Sequence, residues 1–191
     1  MKKISGWGIF GIVVAAFILI FGVWGIGSYN NLVTLRETVN SQYSNIDVQL
    51  QRRMDLIPNL VSTVKGYTSH ESEVLKQIAE SREKLSGAET VSDKANANAE
   101  LSSALSRLLV IAENYPNLKA DTQFTALTDE LAGTENRIAV SRKDYNSAVQ
   151  NYNQTIKKFP TVLIASMCGF SSADQFEASE GSKNAPTVNF E

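Results

Sequence analysis

Apolar positions follow two different patterns along the chain. From Ile4 to Ile26 they are nearly continuous, ISGWGIFGIVVAAFILIFGVWGI, and no charged residue appears until Arg36. As a helix these residues would cover roughly 34 Å at about 1.5 Å per residue, enough for a hydrocarbon core of about 30 Å. Trp7 stands at one end and Trp24 and Tyr29 at the other, the placement of interfacial aromatics. A run apolar on all sides does not suit an amphipathic surface helix. It predicts a transmembrane anchor over residues 4–27, preceded by a short N-terminus, 1–3. The competing reading is a cleaved signal peptide, with Gly25-Ile26-Gly27 as a small-x-small site. The run exceeds the usual signal core of about 7–15 residues, which favours an uncleaved anchor. Lys2 and Lys3 before the span, against Arg36 beside Glu37 after it, lean towards an N-terminus inside the cytoplasm and the bulk of the chain outside.

Beyond the anchor the pattern becomes periodic. Counting heptads from Val39 to Ile78, the a positions are Val39, Ile46, Arg53, Leu60, Tyr67 and Val74, and the d positions are Tyr43, Leu50, Ile57, Val64, Glu71 and Ile78. Ten of these twelve are apolar, which matches a coiled-coil-like helix seam and not a strand of period two. Leu32 and Leu35 extend the stripe back towards the anchor, so one long helix is expected from the bilayer to about Leu85, bent at Pro58. SGAETVSD, residues 86–93, reads as a turn, with Gly87 ending one helix and Thr90 with Asp93, or Ser92, capping the next. A second helix carries Leu101, Leu105, Leu108, Ala112 and Tyr115 and stops before Pro116. A third runs from about Thr122 to Phe159, with Phe124, Leu131, Ile138, Tyr145, Tyr152 and Phe159 on one stripe and Thr128, Glu135 and Arg142 interrupting the other. TVLIASMCGF, residues 161–170, is a short apolar segment suited to packing on the bundle or touching the membrane surface, and residues 171–191 read as a disordered acidic tail. The expected fold is all-α: an N-terminal transmembrane helix joined to an antiparallel bundle of three main helices over residues 28–170.

Composition narrows the chemistry. A net charge of −2 gives no basic footprint, so nucleic acid is not an expected partner. The single cysteine, Cys168, has apolar neighbours in Met167 and Phe170 and is expected to be a buried structural thiol. His70-Glu71 begins like a zinc-protease motif, but Val74 stands where the second histidine would be needed, and no other histidine exists in the chain. Carboxylates are plentiful (Asp47, Glu113, Asp129, Glu130), yet no spacing marks a catalytic pair, and no phosphate-binding or nucleophile-elbow pattern occurs. No cofactor, metal or catalytic residue is expected. The aromatics on the stripes are expected to pack in the core, with Asn136, Asn146 and Asn153 as partners for buried tyrosine hydroxyls.

The polar seam positions stand out. Arg53 is at an a position and Arg142 at a d position, and polar residues at a seam commonly set register or partner choice. Asp55, Glu135 and Asp144 are the candidate partners, and the plainer alternative lays each arginine stem along the seam with its head in water. Arg52, Arg53, Asp55, Pro58 and Arg142 are therefore the candidate interaction and register residues, and Gly11 with Ala15 a small-xxx-small pair for packing between anchors.

IDVQLQRRMDLIPNLVSTVKGY, LSRLLVIAENYPNLKA, and ELAGTENRIAVSRKDYNSAVQNYN followed by KKFPTVLIA are similar to the LemA family, in that family's order. The resemblance covers nearly the whole chain to Phe170. It implies a bacterial protein with one transmembrane helix and an antiparallel helical domain, without established enzymatic activity. It also implies a loose association with envelope stress and membrane-bound zinc proteases, and a bulk often drawn in the cytoplasm, against the charge count. The combined expectation is a single-pass inner-membrane scaffold or adaptor. It would self-associate where the long first stripe outruns its intrachain partners, and would bind a membrane protease or another envelope protein. An enzyme with an unrecognised carboxylate and arginine site, or an exported helical protein after signal cleavage, are the alternatives.

Overall fold

The computed structural model describes residues 6–68 and 71–176, and within them every regular element is a helix. α1 runs from Gly6 to Lys65, α2 from Ser72 to Ser86, α3 from Val91 to Ala112, α4 from Pro116 to Lys119, α5 from Thr122 to Lys157 and α6 from Thr161 to Met167. The chain divides into two compact units, one of residues 1–41 and 147–173, the other of 42–146 and 174–191.

The expected helix from the bilayer to Leu85 is two helices, and the break is at Gly66, not Pro58. α1 continues through Pro58 and ends where Gly66 and Tyr67 donate backwards to Thr63 and Val64, at 3.1 and 2.9 Å. Those i→i+3 bonds tighten the last turn. Glycine, with the largest backbone entropy to lose in a helix, stops it there. The heptad is consequently obeyed up to the break: Val39, Ile46, Leu50, Ile57, Leu60 and Val64 are buried. Tyr67, expected in the seam, is exposed, and α2 resumes the stripe with the expected Ile78 buried beside Leu75 and Leu85.

In the unit of residues 42–146 and 174–191, α2 and α3 run antiparallel, as Lys84–Glu100 (2.7 Å) and Arg107–Gln77 (3.1 Å) show. α5 runs antiparallel to α1, with Tyr43 beside Tyr145 (5.7 Å between ring centres) and the Tyr67 hydroxyl donating to Asp121 at 2.7 Å. Thr90 caps α3, its Oγ1 accepting from the Asp93 N–H at 3.0 Å. Asp121 caps α5 through the Phe124 N–H at 2.8 Å. Leu101, Leu108, Leu118 and Ile138 fill the core. An extended piece, Asp174–Phe176, is tied to α5: Asn146 exchanges two bonds with the Phe176 backbone at 2.8 and 3.0 Å, and the Tyr145 hydroxyl donates to the Asp174 carbonyl at 2.7 Å.

In the unit of residues 1–41 and 147–173, Leu32, Val39, Val149, Tyr152, Ile156 and Ala165 are buried. Asn153 exchanges two bonds with the Ala173 backbone at 2.9 and 2.8 Å, and Tyr152 donates to the Ser171 carbonyl at 2.9 Å. Asn146 and Asn153, expected to serve tyrosine hydroxyls, therefore grip main chain instead, each mimicking a peptide group with its side-chain amide. The segment read as a tail from Ser171 onward is thus hydrogen-bonded to α5 over its first six residues. Residues 177–191 lie outside the described residues. Phe159, expected on the third stripe, falls past the end of α5 and is 80% exposed. Cys168, expected to be buried, is exposed.

Candidate functional site

The polar seam lies in the unit of residues 42–146 and 174–191. Arg53 is carried inward on α1 and is only 3% exposed. Its Nη1 donates to Asn98 Oδ1 on α3 at 2.7 Å and to Glu135 Oε2 on α5. The alternative of a guanidinium in water is overturned. Burial pushes the guanidinium below its ordinary value, opposed by the charge and hydrogen bond of Glu135. An arginine stays charged against such a pull. Its Nε is buried without a hydrogen-bond partner, and the bonds to both neighbours run through Nη1. The carboxylate side is less enclosed: the Glu135 side chain keeps 43% exposure.

Arg53 and Glu135 form one wall of a cavity of about 210 Å³, whose remaining lining includes Leu60, Leu105, Leu109, Leu131, Ser102 and Ser106. The Ser102 and Ser106 hydroxyls donate back to the carbonyls of Asn98 and Ser102, both at 2.9 Å. Ser102 also reaches Glu135 at 3.5 Å, the limit of a hydrogen bond. Neither hydroxyl is poised as a nucleophile against a base. What the arrangement can do is hold three helices in one register, because Arg53 on α1 bonds at once to Asn98 on α3 and Glu135 on α5.

The structure places the other candidates at different points. Arg52 is exposed at an edge and pairs with Glu130 at 2.8 Å, which also receives Arg137 at 2.6 Å. Asp55 is not a partner of Arg53; it accepts from Gln51 one turn back at 2.7 Å. Arg142 lies over the Phe176 ring at 4.6 Å, its guanidinium lowered by burial and supported by the Glu135 charge. Pro58 has a consequence that the sequence does not show. Its missing N–H frees the Met54 carbonyl four residues back. That oxygen accepts from Arg82 Nε on α2 at 3.0 Å. In the other unit, Gly11 has nothing within 4 Å of where a Cβ would stand, and Ala15 is exposed. His70 lies outside the described residues.

Two polar residues were missed. Asn98 is buried three and seven residues before Leu101 and Leu105, on the same stripe, so its phase could have marked it. Lys94 reaches Asp47 at 2.6 Å and lies 4.7 Å from the centre of the Tyr43 ring. Burial lowers its ammonium value, but the Asp47 and Tyr43 interactions outweigh this and raise it.

Comparison with known proteins adds a lineage. The family model described as the LemA family matches residues 42–190. The chain is 28% identical over 176 residues to magnetosome protein MamQ 2 of Paramagnetospirillum magneticum, covering 78% of this chain and 64% of that protein. It is 27% identical over 175 residues to magnetosome protein MamQ of Magnetospirillum gryphiswaldense, with the same shares. Protein LemA of Metamycoplasma hominis is 26% identical over 170 residues, covering 86% and 77%. The chain thus spans less than two thirds of the MamQ proteins that it matches.

Proposed function

The chain belongs to the LemA family and is a membrane-associated helical protein, and from that premise we propose that it is a membrane-anchored scaffold or adaptor. The observation that carries this reading is the division of labour along α1. Its apolar N-terminal stretch is long enough to cross a membrane and has none of its most apolar window buried. The same helix then lends a buried stripe, Ile46 to Val64, to a helical bundle. Such a chain commits one segment to lipid and leaves a folded surface for proteins.

Arg53, with Glu135 and Asn98, is proposed to set helix register, and Arg52 with Glu130 to mark an outer edge for partner contact. Self-association is proposed to run through the anchor, along the face of Gly11 and Ala15, where small residues let helices approach. The seam stripe is no longer a basis for it, because its positions up to Val64 are occupied within the chain. The proposed location is the bacterial inner membrane in a single pass with the N-terminus inside, the proposed setting is envelope stress or membrane proteostasis, and a membrane protease or another envelope protein is the proposed partner.

Single-molecule photobleaching in native membrane patches tests self-association. Multi-step bleaching is expected, and one-step bleaching throughout would end that part of the proposal. Crosslinking in membranes followed by purification tests the adaptor role, with loss of the captured partner on Arg52→Glu as the expected result. A reporter fused after Glu191 and active only inside the cytoplasm would overturn the orientation.

A further inference from the structure

α6 is far too short to cross a bilayer, yet its place and composition are those of a membrane-seeking segment. It packs on the apolar stretch of α1: the Ile164 Cδ1 atom is 3.6 Å from where a Cβ on Gly25 would stand, within van der Waals reach of the helix. The Phe170 ring lies 5.7 Å from the ring of Tyr29. Gly25 is one residue before the end of the apolar run at Ile26, and Tyr29 is one of its interfacial aromatics. α6 therefore sits at the level where hydrocarbon gives way to headgroups, if α1 spans the bilayer.

Large apolar side chains of Phe159 and α6 are uncovered. Phe159 is 80% exposed, Met167 82% and Leu163 44%. Exposed residues of this size, clustered within nine positions, are costly in water and mark a contact surface. Beside it, Phe17, Phe21, Gly22, Gly25, Ile164 and Cys168 line an open cleft of about 660 Å³ with almost no polar surface, suited to hydrocarbon and not to water. Immediately before Phe159 come Lys157 and Lys158, both exposed. The charged residues described in this unit are Arg36, Lys157 and Lys158 against Glu37, three cations less one anion, a net of +2. An apolar face rimmed by lysines is the pattern of a helix lying in the membrane interface.

We infer that Phe159 and α6 form a second membrane contact, with Phe159, Leu163 and Met167 sunk into the bilayer interface and Lys157 and Lys158 on anionic headgroups. The contact rests on the reading that α1 is the anchor. Its consequence is mechanical: a single helix crossing a bilayer is free to rotate about its own axis, whereas a second, off-axis contact fixes which face of the unit meets the membrane.

The full chain, with Cys168→Ser and one new cysteine at a time at Phe17, Leu163, Met167 or Glu89, would be spin-labelled and reconstituted into phosphatidylcholine vesicles with and without phosphatidylglycerol. Collisions with oxygen report hydrocarbon, and collisions with a water-soluble nickel chelate report water. Labels at 17, 163 and 167 should favour oxygen, with nickel collisions several-fold fewer than at 89. Lys157→Glu with Lys158→Glu should raise nickel access at 163 only where phosphatidylglycerol is present; an equal effect in both vesicles would overturn the headgroup contact. Nickel access at 163 and 167 equal to that at 89, with 17 still in hydrocarbon, would overturn the inference and leave the anchor standing. Nickel access at 17 as well would overturn the anchor itself. Spin–spin broadening at 163 that disappears on dilution with unlabelled chain would assign the face to a second copy and overturn the lipid contact.

Discussion

Replacing Arg82 with alanine should destabilise the bundle through a carbonyl that only Pro58 leaves exposed, and the two residues should be coupled. In an uninterrupted helix the Met54 oxygen would accept from the N–H of residue 58; with proline there it accepts from Arg82 Nε at 3.0 Å, in a part-buried setting. Hydrogen bonds from charged donors contribute about 1.5–3 kcal/mol, and partial exposure favours the lower end, so Arg82→Ala should cost about 1.5 kcal/mol. In a Pro58→Ala background the new backbone N–H takes the same oxygen. The cost of Arg82→Ala should then fall to about 0.5 kcal/mol, a coupling of about 1 kcal/mol. Pro58→Ala alone should be neutral or stabilising, since a proline inside a helix is unfavourable by up to about 3 kcal/mol. The four proteins, truncated to begin at Ser28 to remove the anchor, would be compared by urea denaturation followed by helical circular dichroism. If Arg82→Ala costs the same in both backgrounds, within about 0.3–0.5 kcal/mol, the two sites are independent and the account of the proline is wrong.

Glu135→Gln should cost about 2–3 kcal/mol in the same assay, below the range for a fully buried pair because the carboxylate is half-exposed. Arg53→Met combined with Glu135→Met should recover most of that loss, and a single-variant cost as small as that of a surface pair would show that Arg53 is not dependent on its partner. Asp121 is held below its ordinary value by the Phe124 N–H and then the Tyr67 hydroxyl. Its contribution is therefore present above the ordinary carboxylate range and lost as pH falls through the lowered value. The stability gap to Asp121→Ala should close on acidification below about pH 4 and stay constant above about pH 6; a gap that widens in acid would contradict the cap. Phe176→Ala should cost about 3 kcal/mol, since the ring is buried and stacked under Arg142. Limited proteolysis should then cut after Asp174 first, and unchanged protection there would count against the clamp.

Much of the fold was legible because helix faces are written locally. Val39, Ile46, Leu50, Ile57, Leu60 and Val64 were found by counting, and all are buried, since a period near 3.5 residues puts them on one side whatever they meet. The Thr90 cap was legible for the same reason: its bond to the Asp93 N–H spans three residues. The break between α1 and α2 was misplaced because Pro58 is the stronger local signal. A distant side chain, Arg82, makes the proline tolerable, while Gly66 carries a smaller intrinsic helix penalty than proline yet is where the helix ends.

The candidate site was half legible. Arg53 and Glu135 stand out in the sequence as polar residues on apolar stripes. Asn98 shares that phase and completes the cluster, whereas Asp55 is near Arg53 in sequence but bonds to Gln51. Length, apolar run and periodicity by themselves determined an all-α chain with one membrane-length segment and an inward face on each long helix. Tertiary structure alone decided that Asn146 and Asn153 grip main chain, that Cys168 and Phe159 are exposed, and that α6 rests on Gly25. The reason is physical. Periodicity states which face of a helix avoids water, but it does not say which distant group will satisfy a freed carbonyl or a buried guanidinium, or where a short apolar helix will pack.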